Sequence, residues 1–178
     1  MKTAIGITNH AREKWVASVM ADRRDILAVQ TLRNWVMATN FLASTAMLMS
    51  LGTLSAGFSG EKSFSSALNI IGSTSSVMWT FKMILLCVLF FTTFFNFTLA
   101  IRYYNHGALM INTSEEHDPT LSVEAVTQVI NHGALHYTMG MRGFYLAVPL
   151  ALWLFGPLWM LLSTFGFIIV VYRLDRTV

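Results

Sequence analysis

An all-α integral membrane protein, a bundle of about four transmembrane helices with an amphipathic N-terminal helix, is the fold class this sequence predicts. Three observations predict it. Of the 178 residues 54% are apolar and only 12% charged, against roughly a quarter charged in ordinary soluble domains. The apolar residues fall in a few long blocks, where a soluble helix would interrupt them every turn or two with a polar face. The first block, Val36 to Leu54, runs 19 residues without a formal charge, about enough to cross a hydrocarbon core of roughly 30 Å at about 1.5 Å per residue. One membrane domain, residues 1–178, is the expectation at this length.

Residues 1–34 are expected to form the amphipathic helix. His10 to Arg33 contains no Pro or Gly and mixes charges with Trp15, Val16, Val19, Met20, Ile26 and Leu27. Such a segment lies on the inner membrane surface or in the cytoplasm and runs into the first span. Lys2, Arg12, Lys14, Arg23, Arg24 and Arg33 precede that span, opposed by Glu13, Asp22 and Asp25. This positive flank places the N-terminus inside. The opening MKTAIGITNHAREKW lacks the apolar run of a signal peptide, so the first span is expected to act as its own insertion signal.

Residues 36–55 form the first span, entered through Gln30, Arg33, Asn34 and Trp35. Asn40 and Ser44 share a face with Arg33 and Met37, at steps of three and four residues. A polar stripe in lipid is expected to face protein, because an unsatisfied polar group there costs several kcal/mol. Thr39 with Ala43, and Ala46 with Ser50, are small pairs that permit close helix approach. Ser55 to Val77, rich in Ser and Gly, is the expected external loop, with SALNII as a candidate interfacial helix.

Residues 78–104 form the second span, anchored by Trp79 and Lys82 at one end and Arg102, Tyr103 and Tyr104 at the other. Lys82, Leu89, Asn96 and Tyr103 recur every seven residues on one face. Asn96 is expected to hydrogen-bond a neighbouring helix, and Lys82 to snorkel toward the interface. Asn105 to Leu135 is the expected internal loop, with Glu115, Glu116, His117, Asp118 and Glu124. It contains the pentapeptide NHGAL twice, at Asn105–Leu109 and Asn131–Leu135, without a longer repeat around it.

The pattern turns helical again near Leu121 and is apolar from Gly143 to Tyr172. One straight helix over that stretch would be about 45 Å long, more than a bilayer core. A break is required, and Gly156 with Pro157 supplies it: Pro157 has no amide to donate and is preorganised to open a helix. The third span is then residues 136–155 and the fourth 157–172. This hairpin returns Arg173 and Arg176 to the side of the N-terminal basic cluster, so both termini are expected in the cytoplasm.

Function classes narrow by exclusion. The aromatic residues lie inside the apolar blocks, which speaks against a nucleic-acid surface. Cys87 stands alone, so neither an internal disulfide nor a thiolate zinc site can form. Nothing matches a phosphate loop, a nucleophile elbow or a dinucleotide fingerprint, and no catalytic motif or cofactor is expected. The eleven methionines are scattered, as core filling requires. His132 and His136, one turn apart, are the candidate metal pair, but Gly133 stands where a zincin motif has its glutamate, so interface histidines are expected instead. Arg142 falls at the inner boundary of the third span, with no acid in the apolar blocks to pair with it. Arg142 is expected first as an interfacial arginine that holds helices in register; the functional alternative is that Arg33, Arg102 and Arg142, repeated by oligomer symmetry, make a positive collar at a pore mouth and favour anions.

MADRRDILAVQTLRNWVMATNFLASTAMLMS (Met20–Ser50), AIRYYN (Ala100–Asn105) and GMRGFYLAVPLALWLFGPLWMLLSTFGFIIVVYRLDR (Gly140–Arg176) together resemble the bacterial and plant membrane family catalogued as domain of unknown function 599. RDILAVQ followed by FLAST, and GMRGFY followed by LWLFGP and a terminal YR, are the most specific parts. Members typically carry a further span before the basic segment, and this sequence begins after that point. The resemblance implies architecture and carries no activity. The expected function is a homo-oligomeric, channel- or transporter-like protein of the bacterial inner membrane, with Asn40, Ser44 and Asn96 as polar-stripe candidates. The alternative is an accessory subunit of a larger membrane complex. Membrane lipid and further copies of the chain are the expected partners, and nucleic acid is not.

Overall fold

The computed structural model describes residues 4–22, 25–59, 76–112 and 121–176. Among these, every regular element is a helix: α1 (Ala4–Asp22), α2 (Asp25–Ser59), α3 (Ser76–Ile111), α4 (Val123–Leu152) and α5 (Pro157–Arg176). Ile26–Phe58 of α2 and Val77–Ile111 of α3 are long and apolar enough to cross a membrane, and Pro157–Arg173 is a shorter apolar helix.

The continuous helix expected from His10 to Arg33 is two helices, α1 and α2; Arg23 and Arg24 between them lie outside the described residues. Packing explains the division. Val16 and Val19 of α1 are buried in one cluster with Ala28 and Leu32 of α2. Trp15 of α1 and Trp35 of α2 bring their rings within 6.0 Å, whereas one straight helix would hold those positions about 30 Å apart at about 1.5 Å per residue.

Helices run further into both expected loops than composition suggests. α2 continues to Ser59 and α3 starts at Ser76, while SALNII lies outside the described residues. On the other side α3 runs through Asn105–Ile111, and Glu115, Glu116, His117 and Asp118 lie outside them. Gly107 lets this extension pack: a methyl group added there would fall 2.8 Å from Ile130 Cγ1 of α4. The converse holds at Gly133 on α4, where it would fall 2.7 Å from the Tyr104 ring of α3. These are the glycines of the two NHGAL copies. α4 opens on Ser122, whose Oγ accepts from the amide of Ala125 at 3.2 Å, the bond of a serine N-cap.

α4 stops at Leu152 and α5 starts at Pro157. Between them the amides of Leu154, Phe155 and Gly156 donate three residues back, to Ala151, Leu152 and Trp153, the tightening common at a helix end. Residues 153–155 of the expected third span are therefore turn. Gly156 takes a φ of +142°, a region L-residues avoid. Its carbonyl accepts from the amide of Met160, and Pro157 sits at the first helical position, where a missing amide costs nothing.

The chain divides into two compact units, the first Met1–Leu42, Asn96–Thr138 and Arg173–Val178, the second Ala43–Phe95 and Met139–Tyr172. In the first, Val16, Val19, Ala28, Leu32, Ala100, Tyr104, Ile111, Val126 and Ile130 form the core. The second is centred on Leu86, Phe90 and Ala147, with Phe144 packed against them. There Gly143 brings α4 so close to α3 that an added methyl group would overlap Thr93 Oγ1 and lie 3.2 Å from Thr93 Cβ.

Candidate functional site

The polar side chains singled out from the sequence separate into two groups. Arg33 and Asn40 of α2 and Arg102 of α3 are exposed in the first unit; Ser44 and Arg142 are exposed in the second. The other group lies where α3 and α4 meet, with Asn96 and His136 half-buried and His132 exposed. His136 Nδ1–H donates to Asn96 Oδ1 at 3.1 Å, and His132 Nδ1–H donates to the carbonyl of Gln128 at 2.8 Å.

Tyr103 stands against both imidazoles. It stacks on His136 at 5.5 Å between centroids and 7° between planes, and meets His132 at 5.6 Å and 31°. Contacts of these two histidines therefore go to a tyrosine ring, a side-chain amide and a main-chain carbonyl. Among the described residues no group of three or more His, Cys, Asp or Glu side chains is placed to hold a metal ion.

A third constellation centres on Arg12 of α1. Its Nε–H donates to Asn131 Oδ1 at 2.8 Å, and Nη2 donates to Asn9 Oδ1. Burial pulls the guanidinium below its ordinary proton affinity, with Tyr104 opposing that shift. Arg12 lines a cavity of about 260 Å³ together with Trp35, Ala38, Thr39, Tyr104, Ala134, Tyr137 and Thr138. Aromatic rings wall it. Trp35 lies 6.0 Å from Trp15 and 5.5 Å from Tyr104, and Tyr137 meets Phe97 at 5.9 Å. The threonine hydroxyls turn to their own helices, Thr39 to the carbonyl of Trp35 at 2.6 Å and Thr138 to that of Ala134 at 2.8 Å.

From sequence, Arg12 is one member of a basic flank. The available signal was its place on the buried face of α1: Arg12, Trp15, Val16 and Val19 follow the i, i+3, i+4, i+7 spacing of one helical stripe. A cation on an apolar stripe marks a pocket or an ion pair. Asn131, Tyr104 and Tyr137 come from distant helices, and no local pattern links them to it.

Fold and site together define a class: an all-helical protein with two helices able to cross a membrane, carrying a guanidinium in an aromatic-walled cavity. The chain belongs to the family described as "Protein of unknown function, DUF599", whose family model matches residues 1–178. No curated protein matches the chain, and no solved structure does.

Proposed function

We propose that this is an integral membrane protein with spans at residues 36–55, 78–104, 136–155 and 157–172, the basic N-terminal segment and Arg173 facing the cytoplasm. Copies of it associate through the polar face of α2 into a conduit with a positive inner mouth. The observation that carries the reading is the surface of the apolar helices. Of their most apolar stretches only 17% in α2 and 33% in α3 is buried, and Phe41 and Phe165 are 74% and 68% exposed. Patches on this scale need an apolar solvent or a partner.

Arg33, Asn40 and Ser44 are exposed on the same helix as Phe41 and Leu48. Lipid does not satisfy polar groups, and a second copy presenting the same face does. Arg33, Arg102 and Arg142, multiplied by symmetry, would then favour anions at the inner mouth. Planar-bilayer recording of purified protein tests this. Anion-preferring conductance, reduced by Arg33→Gln or Arg142→Ala, is expected together with disulfide-linked dimers of Asn40→Cys. Silent bilayers and monomeric particles in mild detergent would overturn it. A fixed, stoichiometric foreign partner in those particles would instead make the chain an accessory subunit.

A further inference from the structure

The Arg12 cavity belongs to the first unit alone, and its chemistry is specific. A guanidinium has five N–H donors. Arg12 spends one Nε and one Nη2 hydrogen on amide oxygens of Asn131 and Asn9. Those bonds fix the plane of the fork and bring no negative charge, and among the described residues no carboxylate pairs with Arg12. Three N–H groups remain for an oxyanion, which matches the acceptor oxygens of a phosphate better than the two of a carboxylate.

The other lining groups set the rest of the ligand. Thr138, partly exposed, donates to its own helix carbonyl, so toward the cavity it offers lone pairs, which call for a hydroxyl donor; Thr39 behind it is fully buried. Trp35, Tyr104 and Tyr137 give flat walls, with Ala38 and Ala134 between them. At about 260 Å³ the space is at or below the lower end of small-molecule pockets, roughly 300–1,000 Å³. That holds a headgroup of a few carbons and excludes a nucleotide. We infer that this pocket binds the phosphate ester of a small polyol, with the phosphate on Arg12 and a hydroxyl toward Thr138. The same chemistry comes from a free ester or from the head of an anionic phospholipid.

The test uses the full chain. Calorimetry in neutral detergent with glycerol phosphate probes the free ester; native mass spectrometry from nanodiscs of phosphatidylglycerol or phosphatidylcholine probes the headgroup. Binding of glycerol phosphate, or retention of phosphatidylglycerol over phosphatidylcholine, is expected, and which of the two occurs identifies the source. Arg12→Gln should weaken that binding about tenfold or more, with Arg12→Lys between. Because a half-buried arginine could matter for folding, Ala38→Phe fills the cavity from an exposed position and should also abolish binding, while Lys14→Gln, an exposed position of α1 outside the cavity, leaves it intact. Loss of neither probe's binding in Arg12→Gln and Ala38→Phe, or no binding of either probe to the wild type, overturns the assignment. Binding is read without conductance, so silent bilayers leave it standing, and its failure leaves the conduit reading standing.

Discussion

Lys82 Nζ donates to the main-chain carbonyl of Trp153 at 2.9 Å and lies 5.0 Å from the centre of that residue's indole ring. With 5% of its surface exposed, Lys82 closes the end of α4, where the carbonyls run out of helical partners and the helix dipole favours a cation. The sequence suggested a snorkelling interface lysine, because Trp153 lies 71 positions away and no local pattern joins the two.

Replacing Lys82 with Met keeps the stem and removes the donor. A hydrogen bond to a charged group is worth about 1.5–3 kcal/mol, so Lys82→Met should lower thermal stability in detergent by about that much. Lys82→Arg should lose less. A methionine variant that melts with the wild type would show that the turn after α4 holds without the cation.

Asn96 and His136 should prove coupled. Interhelical polar contacts in membrane proteins average about 0.6 kcal/mol and reach about 1.7 kcal/mol. A double-mutant cycle with Asn96→Leu and His136→Phe is expected to give a coupling energy in that range, and strict additivity would deny the bond.

Gly143→Ala should destabilise the second unit by about 1–3 kcal/mol, the usual cost of overpacking, because the new methyl group meets the β-branched Thr93, which has little freedom to yield. Thr93→Ala in the same chain removes Oγ1 and should restore part of the loss. Denaturant unfolding of the single and double variants checks both statements.

Two glycines with open space around them should respond in opposite directions. Nothing lies within 4 Å of a methyl group added at Gly156 or Gly166. Gly156, at φ +142°, would be strained by Ala, at a cost of roughly 1–2 kcal/mol. Gly166 lies inside α5, where Ala should gain about 0.5–1 kcal/mol. Equal melting shifts for the two variants would contradict the conformational account.

Composition and block length were enough to read an all-helical chain with apolar helices, and Pro157 marked the start of α5 because proline acts on its own backbone. Asn96 was legible as a residue in need of a partner, since a lone amide among phenylalanines has few satisfactory surroundings. Its partner was not, because His136 is 40 residues away. The division of α1 from α2 and the Arg12 cavity were hidden for the same reason: both depend on side chains that meet only after the helices fold back. Residues 105–111 looked like loop because Asn and Gly are poor helix formers, and packing against α4 overrides that preference.

The duplicated pentapeptide gains a meaning from its two glycines. Gly107 receives Val129 and Ile130, four and three positions before Gly133; Gly133 receives Tyr103 and Tyr104, four and three positions before Gly107. The copies are thus related by a local dyad between antiparallel helices, each offering the other its notch. Sliding either helix by one residue would set the methyl group of Ala108 or Ala134 in a gap only hydrogen fills, so this helix pair has a single seating.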